Sequence, residues 1–322
     1  MTPTKQNSVA IITVTYNCSD FIEAFLHSVK PIIADSDFRL IIVDNKSTDS
    51  SCALIQQYIK EHTLEKSITL YPATDNHGFG KGCNKGAQIA STYGAEYLWF
   101  LNPDTQINQD SGAQLLSLLQ ESEHIDFAGS ILNNEKNEPR AGAFRFPGIM
   151  NTLISSMQLK ILDNLFPKYT TAAPIEAKPY PSDWLTGASF MTSATCFEKL
   201  DGFDPVYFLY FEEVDLFHRA KKIGLTAWCC PQSSVFHIAG ASTGINNKTQ
   251  EKRKPFYWFE SRRHFYINNY GRIYFTITDL CLLTSTYCWK LRAKLQKKVD
   301  NTPAHFAKDI FKHSYLASLL KK

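Results

Sequence analysis

Val9–Thr15 reads Val-Ala-Ile-Ile-Thr-Val-Thr, an unbroken run of apolar and β-branched residues. A short run of this kind between polar residues predicts a strand buried on both faces, as in a parallel sheet. Similar runs recur at Arg39–Val43, Ile68–Tyr71 and Tyr97–Leu101. Between them the apolar positions return at helical spacing. Phe21, Ile22, Phe25, Leu26 and Val29 follow the capping pair Ser19-Asp20 and predict a helix stopped near Pro31. A second helix extends to about Lys60, and a third opens at Asn76-His77-Gly78-Phe79-Gly80-Lys81-Gly82 and runs through Asn84, Ala87 and Ile89. Alternating strand and helix over the first 105 residues predicts βαβ units, hence an α/β fold with a mostly parallel, doubly wound sheet.

The polar residues that end these strands are the first candidate chemistry. Thr15-Tyr16-Asn17 closes the first strand, Asp44 the second, and Asn102-Pro103-Asp104 the fourth. In open α/β sheets ligands bind outside the carboxyl ends of the strands, so a shared pocket explains the repetition. Pro103 cannot donate to a strand ladder and holds Asn102 extended, so Asp104 projects from a stiff turn. Asn, Pro and Asp are also ordinary turn residues, and on this segment alone both readings stand. The glycines between 78 and 82 sit at a helix entry, where backbone N–H groups meet phosphate or simply allow a flexible turn; they lack the spacing of a dinucleotide fingerprint or a P-loop.

From about Asn133 to Pro181 the periodicity blurs under six prolines, and this stretch is taken as the acceptor-side region. Order returns at Asp183-Trp184-Leu185-Thr186-Gly187-Ala188, a strand through Met191 and a helix around Thr195–Leu200. A second acidic group follows: Glu212, Glu213 and Asp215 within four positions, after the aromatic run Phe208-Leu209-Tyr210-Phe211. Such crowding is unfavourable unless a cation or a reaction uses it, although a helix amino end also stabilises negative charge. A carboxylate against aromatic rings has the setting of a general base. Val235-Phe236-His237 closes a further strand, and a histidine there is either a satisfied polar residue or a ligand beside carboxylates.

Composition narrows the class. The 322 residues are 44% hydrophobic and 20% charged, an ordinary globular balance. Eight scattered cysteines form no C-x-x-C pair and no zinc spacing, and are read as reduced thiols. The polar start carries no apolar signal segment, which predicts a cytosolic protein. Net charge is +3, yet Lys290–Lys322 holds nine Lys and Arg against two Asp, leaving about −4 for the rest. A basic tail whose longest apolar stretch, Thr276–Trp289, contains Asp279 and is too short to span suits either an anionic membrane surface or a solvated helix packed on the domain. No nucleic-acid partner is expected.

In order along the chain, Val14-Thr15-Tyr16-Asn17, Val43–Asp49, Asn76-His77-Gly78-Phe79-Gly80, Leu101-Asn102-Pro103-Asp104, Gly202-Phe203-Asp204, Phe211–Leu216 and His237 before Gly240-Ala241-Ser242 resemble the family 2 glycosyltransferases, most closely the rhamnosyltransferase-like branch. The resemblance covers about residues 8–243. It implies a GT-A, Rossmann-like catalytic domain over 1–243, a basic helical extension over 244–322, and inverting transfer of a sugar from a nucleoside diphosphate. By that resemblance Thr15, Tyr16, Asn17 and Asp44 hold base and ribose, with Asn76, Gly78 and Phe79 lining the same pocket. Asp104 and His237 would hold Mg²⁺ or Mn²⁺, with Asn102 where the metal motif usually has its first aspartate. Glu213 matches the catalytic base, a position more often aspartate. Glu212 and Asp215 are assigned to orienting or acceptor-binding work, and Trp184 to the substrate pocket.

A departing nucleoside diphosphate needs a divalent cation, and one base without a second carboxylate as nucleophile fits a single, inverting displacement. The expected donor is dTDP-L-rhamnose, with a UDP-hexose or UDP-galactofuranose as the alternative. The expected acceptor is a saccharide, free or on a polyprenyl diphosphate at the cytoplasmic face of the inner membrane, in surface polysaccharide assembly. Two rivals remain: a nucleotidyltransferase, which would want an early basic, glycine-rich loop that Thr13–Asp20 lacks, and a sugar-nucleotide-binding protein without turnover.

Overall fold

The structure, a computed structural model, describes residues 8–34, 37–238, 253–300 and 302–319. The expected motif at Gly240-Ala241-Ser242, the 243/244 boundary and the last two lysines lie outside the described residues. Within them the chain gathers into two compact units. The first takes residues 8–144, 174–208 and 212–238; the second takes 145–173, 209–211 and 253–319. Two stretches inside the span 1–243, namely 145–173 and 209–211, therefore pack with the C-terminal helices.

The first unit begins with β1 (Val9–Thr15), α1 (Ile22–Ala34), β2 (Phe38–Asp44), α2 (Ser51–Glu61), β3 (Ile68–Pro72), α3 (Phe79–Ser91) and β4 (Tyr97–Leu101). It continues with β5 (Thr105–Ile107), α4 (Ser111–Glu121), β6 (Phe127–Asn133) and the short strands β7 (Pro139–Arg140) and β8 (Ala143–Phe144). After the excursion of α5 (Ile149–Met157) and α6 (Lys160–Leu165) into the second unit come β9 (Tyr180–Ser182), β10 (Trp184–Leu185), β11 (Ser189–Ser193), α7 (Ala194–Lys199), α8 (Glu212–Lys222) and β12 (Ala227–His237). The sheet runs β3-β2-β1-β4-β11-β6-β12-β5, with β7 on β6 and β9 on β12, while β10 pairs with β8. The four amino-terminal strands are mutually parallel; β11 enters antiparallel between β4 and β6.

Alternation fixes which residues face which layer. Ile11, Leu40, Trp99, Leu101 and Met191 join Phe25, Leu26 and Leu115 in one core. On the other side Phe100 meets Phe190, Phe197 and Phe203 at centroid separations of 4.9–5.6 Å, and Phe217 closes on Phe127 and Phe190 at 5.0 and 5.3 Å. The helix predicted to stop near Pro31 instead carries that proline in its interior and continues to Ala34. Only one backbone donor is lost there, and Ile33 buries on the core beyond it. The stretch from 133 to 181 is not structureless, since it contributes three short strands and two helices.

In the second unit α5 packs on α9 (Phe256–Leu295), followed by α10 (Phe306–His313) and α11 (Tyr315–Leu319). Gly271, at φ 84° and ψ 169°, breaks α9 into two segments. Arg262 and Asp279, one from each segment, form a buried ion pair. Arg253 grips Asp309 through two bonds of 2.6 and 2.7 Å, and that guanidinium holds the carboxyl below its usual range. No helix among the described residues is long and apolar enough to cross a membrane.

Candidate active site

Parallel register brings Thr15 beside Asp44 at the carboxyl ends of β1 and β2. Asp44 is buried and accepts three bonds: from Thr15 Oγ1 at 2.9 Å, Ser47 Oγ at 2.5 Å and the Ser47 N–H at 2.8 Å. Ser47 Oγ in turn accepts from the Asn17 N–H at 2.9 Å, and Asn17 Oδ1 accepts from the Thr48 N–H at 2.7 Å. Asn17 holds a left-handed φ of 49°, a conformation asparagine tolerates better than most residues. Burial pushes the Asp49 carboxyl up, but bonds from Ser51 and Ser19 outweigh it and bring the value down to about 2. That anion ties the loop after β1 to the start of α2. Tyr16 stays exposed on the same loop.

The entry to α3 joins this rim through Asn45, whose Nδ2 donates to Gly78 O at 2.9 Å, while the Gly78 N–H donates to Asn76 Oδ1 at 3.0 Å. Gly78 is required: its φ is 86°, and a Cβ there would lie 1.9 Å from Phe208 O. The next N–H, of Phe79, donates to that same carbonyl at 3.1 Å.

Past β4, Asp104 is almost fully buried and its Oδ1 lies 3.3 Å from His237 Nε2 at the end of β12. The antiparallel register His237↔Thr105 and the bond from the Ile238 N–H to Asp104 O (3.1 Å) hold them together. The pair offers one carboxylate and one imidazole nitrogen. Among the described residues no three His, Cys, Asp or Glu side chains gather as a full metal cage. One carboxylate oxygen and one imidazole nitrogen fit part of the shell of a divalent cation and leave its other positions to ligands from outside the protein.

The Asn102 N–H donates to Ala188 O at 3.0 Å, which brings the 186–188 turn alongside. The backbone N–H of Gly187 in that turn lies near the Glu213 carboxyl, where it favours the charged form. A Cβ at Gly187 would come within 3.3 Å of the Phe79 ring and 3.9 Å of Glu213 Oε1. Glu213 Oε2 and Glu212 Oε2 are buried without hydrogen-bond partners. Desolvation pushes both carboxyls above their ordinary range; for Glu212, well above it, the adjacent Glu213 charge adds to the effect. Asp215 has both oxygens engaged, Oδ2 by Arg219 Nε at 2.7 Å and Oδ1 by Tyr207 at 3.3 Å. Because Arg219 also donates to the carbonyls of Leu200 and Gly202, Asp215 braces α8 against the 200–202 turn. Trp184 stacks on Phe144, with centroids 4.5 Å apart.

Three participants escape motif reading. Ser47 and Asn45 lie inside the quoted segments without a stated role, and Gly187 acts only through its N–H. A short Thr-Gly turn ahead of a strand is the single sequence signal for the last.

A doubly wound sheet with acidic groups gathered along its carboxyl rim defines a ligand-binding α/β enzyme class. The glycosyl transferase family 2 model matches residues 10–179, more than half of the chain, and the protein belongs to that family. It is 26% identical over 270 residues to the N-acetylglucosaminyl-diphospho-decaprenol L-rhamnosyltransferase of Mycobacterium tuberculosis, covering 79% of this chain and 84% of that one. It is 26% identical over 239 residues to rhamnosyltransferase WbbL of Escherichia coli, covering 72% and 83%. The fold superposes on GalNAc-T7, solved with UDP, GalNAc and Mn²⁺, at a TM-score of 0.58 and 14% identity, over 99% of this chain but only 57% of that one. The architecture is that of a GT-A glycosyltransferase.

Proposed function

We propose that the protein transfers L-rhamnose from dTDP-L-rhamnose, with inversion, to a lipid-linked saccharide acceptor in surface polysaccharide assembly. The observation that carries this reading is the rim itself. The Asp44 network, the Asp104–His237 pair and the Glu213 carboxyl sit at strand and helix ends knitted together through Asn45, Gly78, Phe79, Asn102 and Gly187. Thr15, Tyr16, Asn17, Asp44 and Asn76 take the nucleoside in this reading. Three donors hold the Asp44 carboxyl in one orientation, suited to accept from a ribose hydroxyl or a base N–H. Asp104 and His237 would hold Mg²⁺ or Mn²⁺, which when bound offsets charge on the leaving diphosphate. Glu213 takes the proton of the attacking acceptor hydroxyl at its free Oε2, and the Gly187 N–H holds the carboxylate in place as it does so. Desolvation raises its proton affinity toward the working pH range, as general-base catalysis favours.

The rhamnose donor rests on the two rhamnosyltransferase relatives, and the lipid-linked acceptor on the first of them. A membrane address rests on α9. Ile273, Ile277, Leu280, Tyr287, Leu291 and Leu295 form an exposed stripe at helical spacing, flanked by the exposed Lys294, Lys297 and Lys298.

The test is turnover by purified protein of dTDP-rhamnose against UDP-glucose, UDP-galactose, UDP-GlcNAc and UDP-galactofuranose, with Mg²⁺ or Mn²⁺ and a polyprenyl-diphosphate-GlcNAc acceptor. Rhamnosyl product of inverted configuration, lost in Glu213→Gln and on chelation, is expected. Preference for a UDP-sugar would replace the donor assignment. Nucleotide binding with no turnover of any donor would turn the reading into that of a binding protein.

A further inference from the structure

A cavity of about 500 Å³ opens entirely within the second unit. Its volume lies in the range of small-ligand sites, roughly 300–1,000 Å³. One part of its lining is aromatic: Phe211, Trp258, Tyr266, Trp289 and Phe306. The rings brace one another, with Trp258 5.9 Å from Phe306 and 6.4 Å from Phe211, and Trp289 Nε1 donates to Asp300 at 3.1 Å. The other part is short and polar, with Asn151, Ser156, Gln158, Thr171 and Thr302 among its members. A lipid tail has no use for that many hydroxyl and amide groups, and an ion has none for the rings. A sugar presents C–H faces to aromatic rings and hydroxyls to short polar side chains, and so uses both.

Arg262 sharpens the chemistry. It lines the cavity, only 6% of its surface is exposed, and it rests over the rings of Tyr266 and Phe275 at 5.0 and 5.2 Å. Nη1 is taken by Asp279, whereas Nη2 has no partner. A buried donor left unpaired is costly, and an acceptor that reaches Nη2 as the lining side chains adjust around a ligand relieves that cost. Because Asp279 already neutralises the guanidinium, the free N–H favours a neutral acceptor such as a hydroxyl or acetamido oxygen over a phosphate.

We propose that this cavity is a saccharide site of the second unit, binding a neutral segment of the glycan on which the enzyme works. The source of that glycan rests on the transferase reading; the binding does not. Saturation-transfer NMR and calorimetry on the full chain, with mono- and disaccharides of glucose, galactose, mannose, rhamnose and N-acetylglucosamine at up to about 10 mM, will detect a site of millimolar affinity. Ser156→Phe fills the cavity from α5. Arg262→Lys keeps the charge opposite Asp279 and removes the second nitrogen. Each is expected to weaken saccharide binding at least about tenfold while dTDP affinity stays unchanged, and Glu213→Gln is expected to keep the binding. Binding lost in Glu213→Gln and kept in Ser156→Phe would move the saccharide to the catalytic rim and overturn the assignment. So would failure of every saccharide to bind, or binding of dodecyl phosphate, lost in Ser156→Phe, where the sugars do not bind.

Discussion

Replacing Glu212 with glutamine is expected to make the protein more stable above neutral pH. Two negative charges on the order of 6 Å apart repel by about 3 kcal/mol at an effective dielectric of about 20, which sets the scale for the adjacent Glu212 and Glu213. The amino end of α8 returns about 0.3–1 kcal/mol of that. Glu212 has an oxygen without a partner, so the isosteric amide forfeits no bond there. The net release is about 2 kcal/mol, or about 4–8 °C in melting temperature for a unit of this size. The pH dependence has a definite sign. With its folded value raised above the ordinary 4.5, Glu212 holds its proton more tightly in the folded than in the unfolded chain. Its contribution to stability is present in full below that ordinary value and is lost as pH rises toward the folded one. Thermal melts of wild type and Glu212→Gln from about pH 4 to about pH 9 should therefore coincide at the acid end and diverge above it. A mutant less stable than wild type at the alkaline end would refute the reasoning, because the pair would then be held by interactions stronger than its repulsion. Glu213→Gln should show a smaller stabilisation, because backbone N–H groups favour its charged form, together with loss of turnover, while Glu212→Gln retains part of that turnover.

Gly78→Ala meets both a left-handed φ and the Phe208 carbonyl, so a loss of about 3 kcal/mol or more and of nucleotide binding is expected; Gly224→Ala, at φ 83° in open space, should cost only about 1 kcal/mol in the same melts. Asp44→Asn removes the charge that three donors face and should lower dTDP affinity at least about tenfold by calorimetry, with a smaller effect on thermal stability than Gly78→Ala. Asp104→Asn should remove the metal dependence of dTDP binding, and unchanged Mn²⁺ enhancement would dismiss the Asp104–His237 site. Glutamine at Lys294, Lys297 and Lys298 should lower sedimentation with anionic vesicles at low salt, as should Leu291→Ser; pelleting indifferent to all four changes would remove the membrane address.

Much of the first unit was legible because its signals are local. The first, second and fourth strands are largely apolar runs, and each leads to a polar residue that the structure sets on the rim: Thr15, Asp44, then Asp104 past Leu101. What stayed hidden is non-local. The strand ending at Ser193 reads like any other, and its antiparallel place between Tyr97–Leu101 and Phe127–Asn133 depends on partners far along the chain. Pro31 reads as a stop, yet the apolar face resumes at Ile33 and tertiary burial overrides the lost bond. Residues 145–173 blurred in part because Ile149–Met157 packs against Phe256–Leu295, a partner far along the chain. Glu213 was visible as part of an acidic cluster, but no pattern pointed to the Gly187 N–H beside it.

Residues 209–211 belong to the second unit and end directly before Glu212 in the chain. Tyr210 and Phe211 both adopt left-handed φ values, 69° and 67°, which bulky side chains resist. What holds them there is supplied by the C-terminal helices: Tyr257 against Tyr210, Trp258, Phe265 and Tyr266 around Phe211, and Ser261 Oγ on Leu209 O. The residue that follows is Glu212. A truncation at residue 238 would keep every rim side chain in the sequence and lose the helices that hold Tyr210 and Phe211 in this conformation. On the proposed reading, the fragment expected to grip a nucleotide is therefore shorter than the one expected to turn it over.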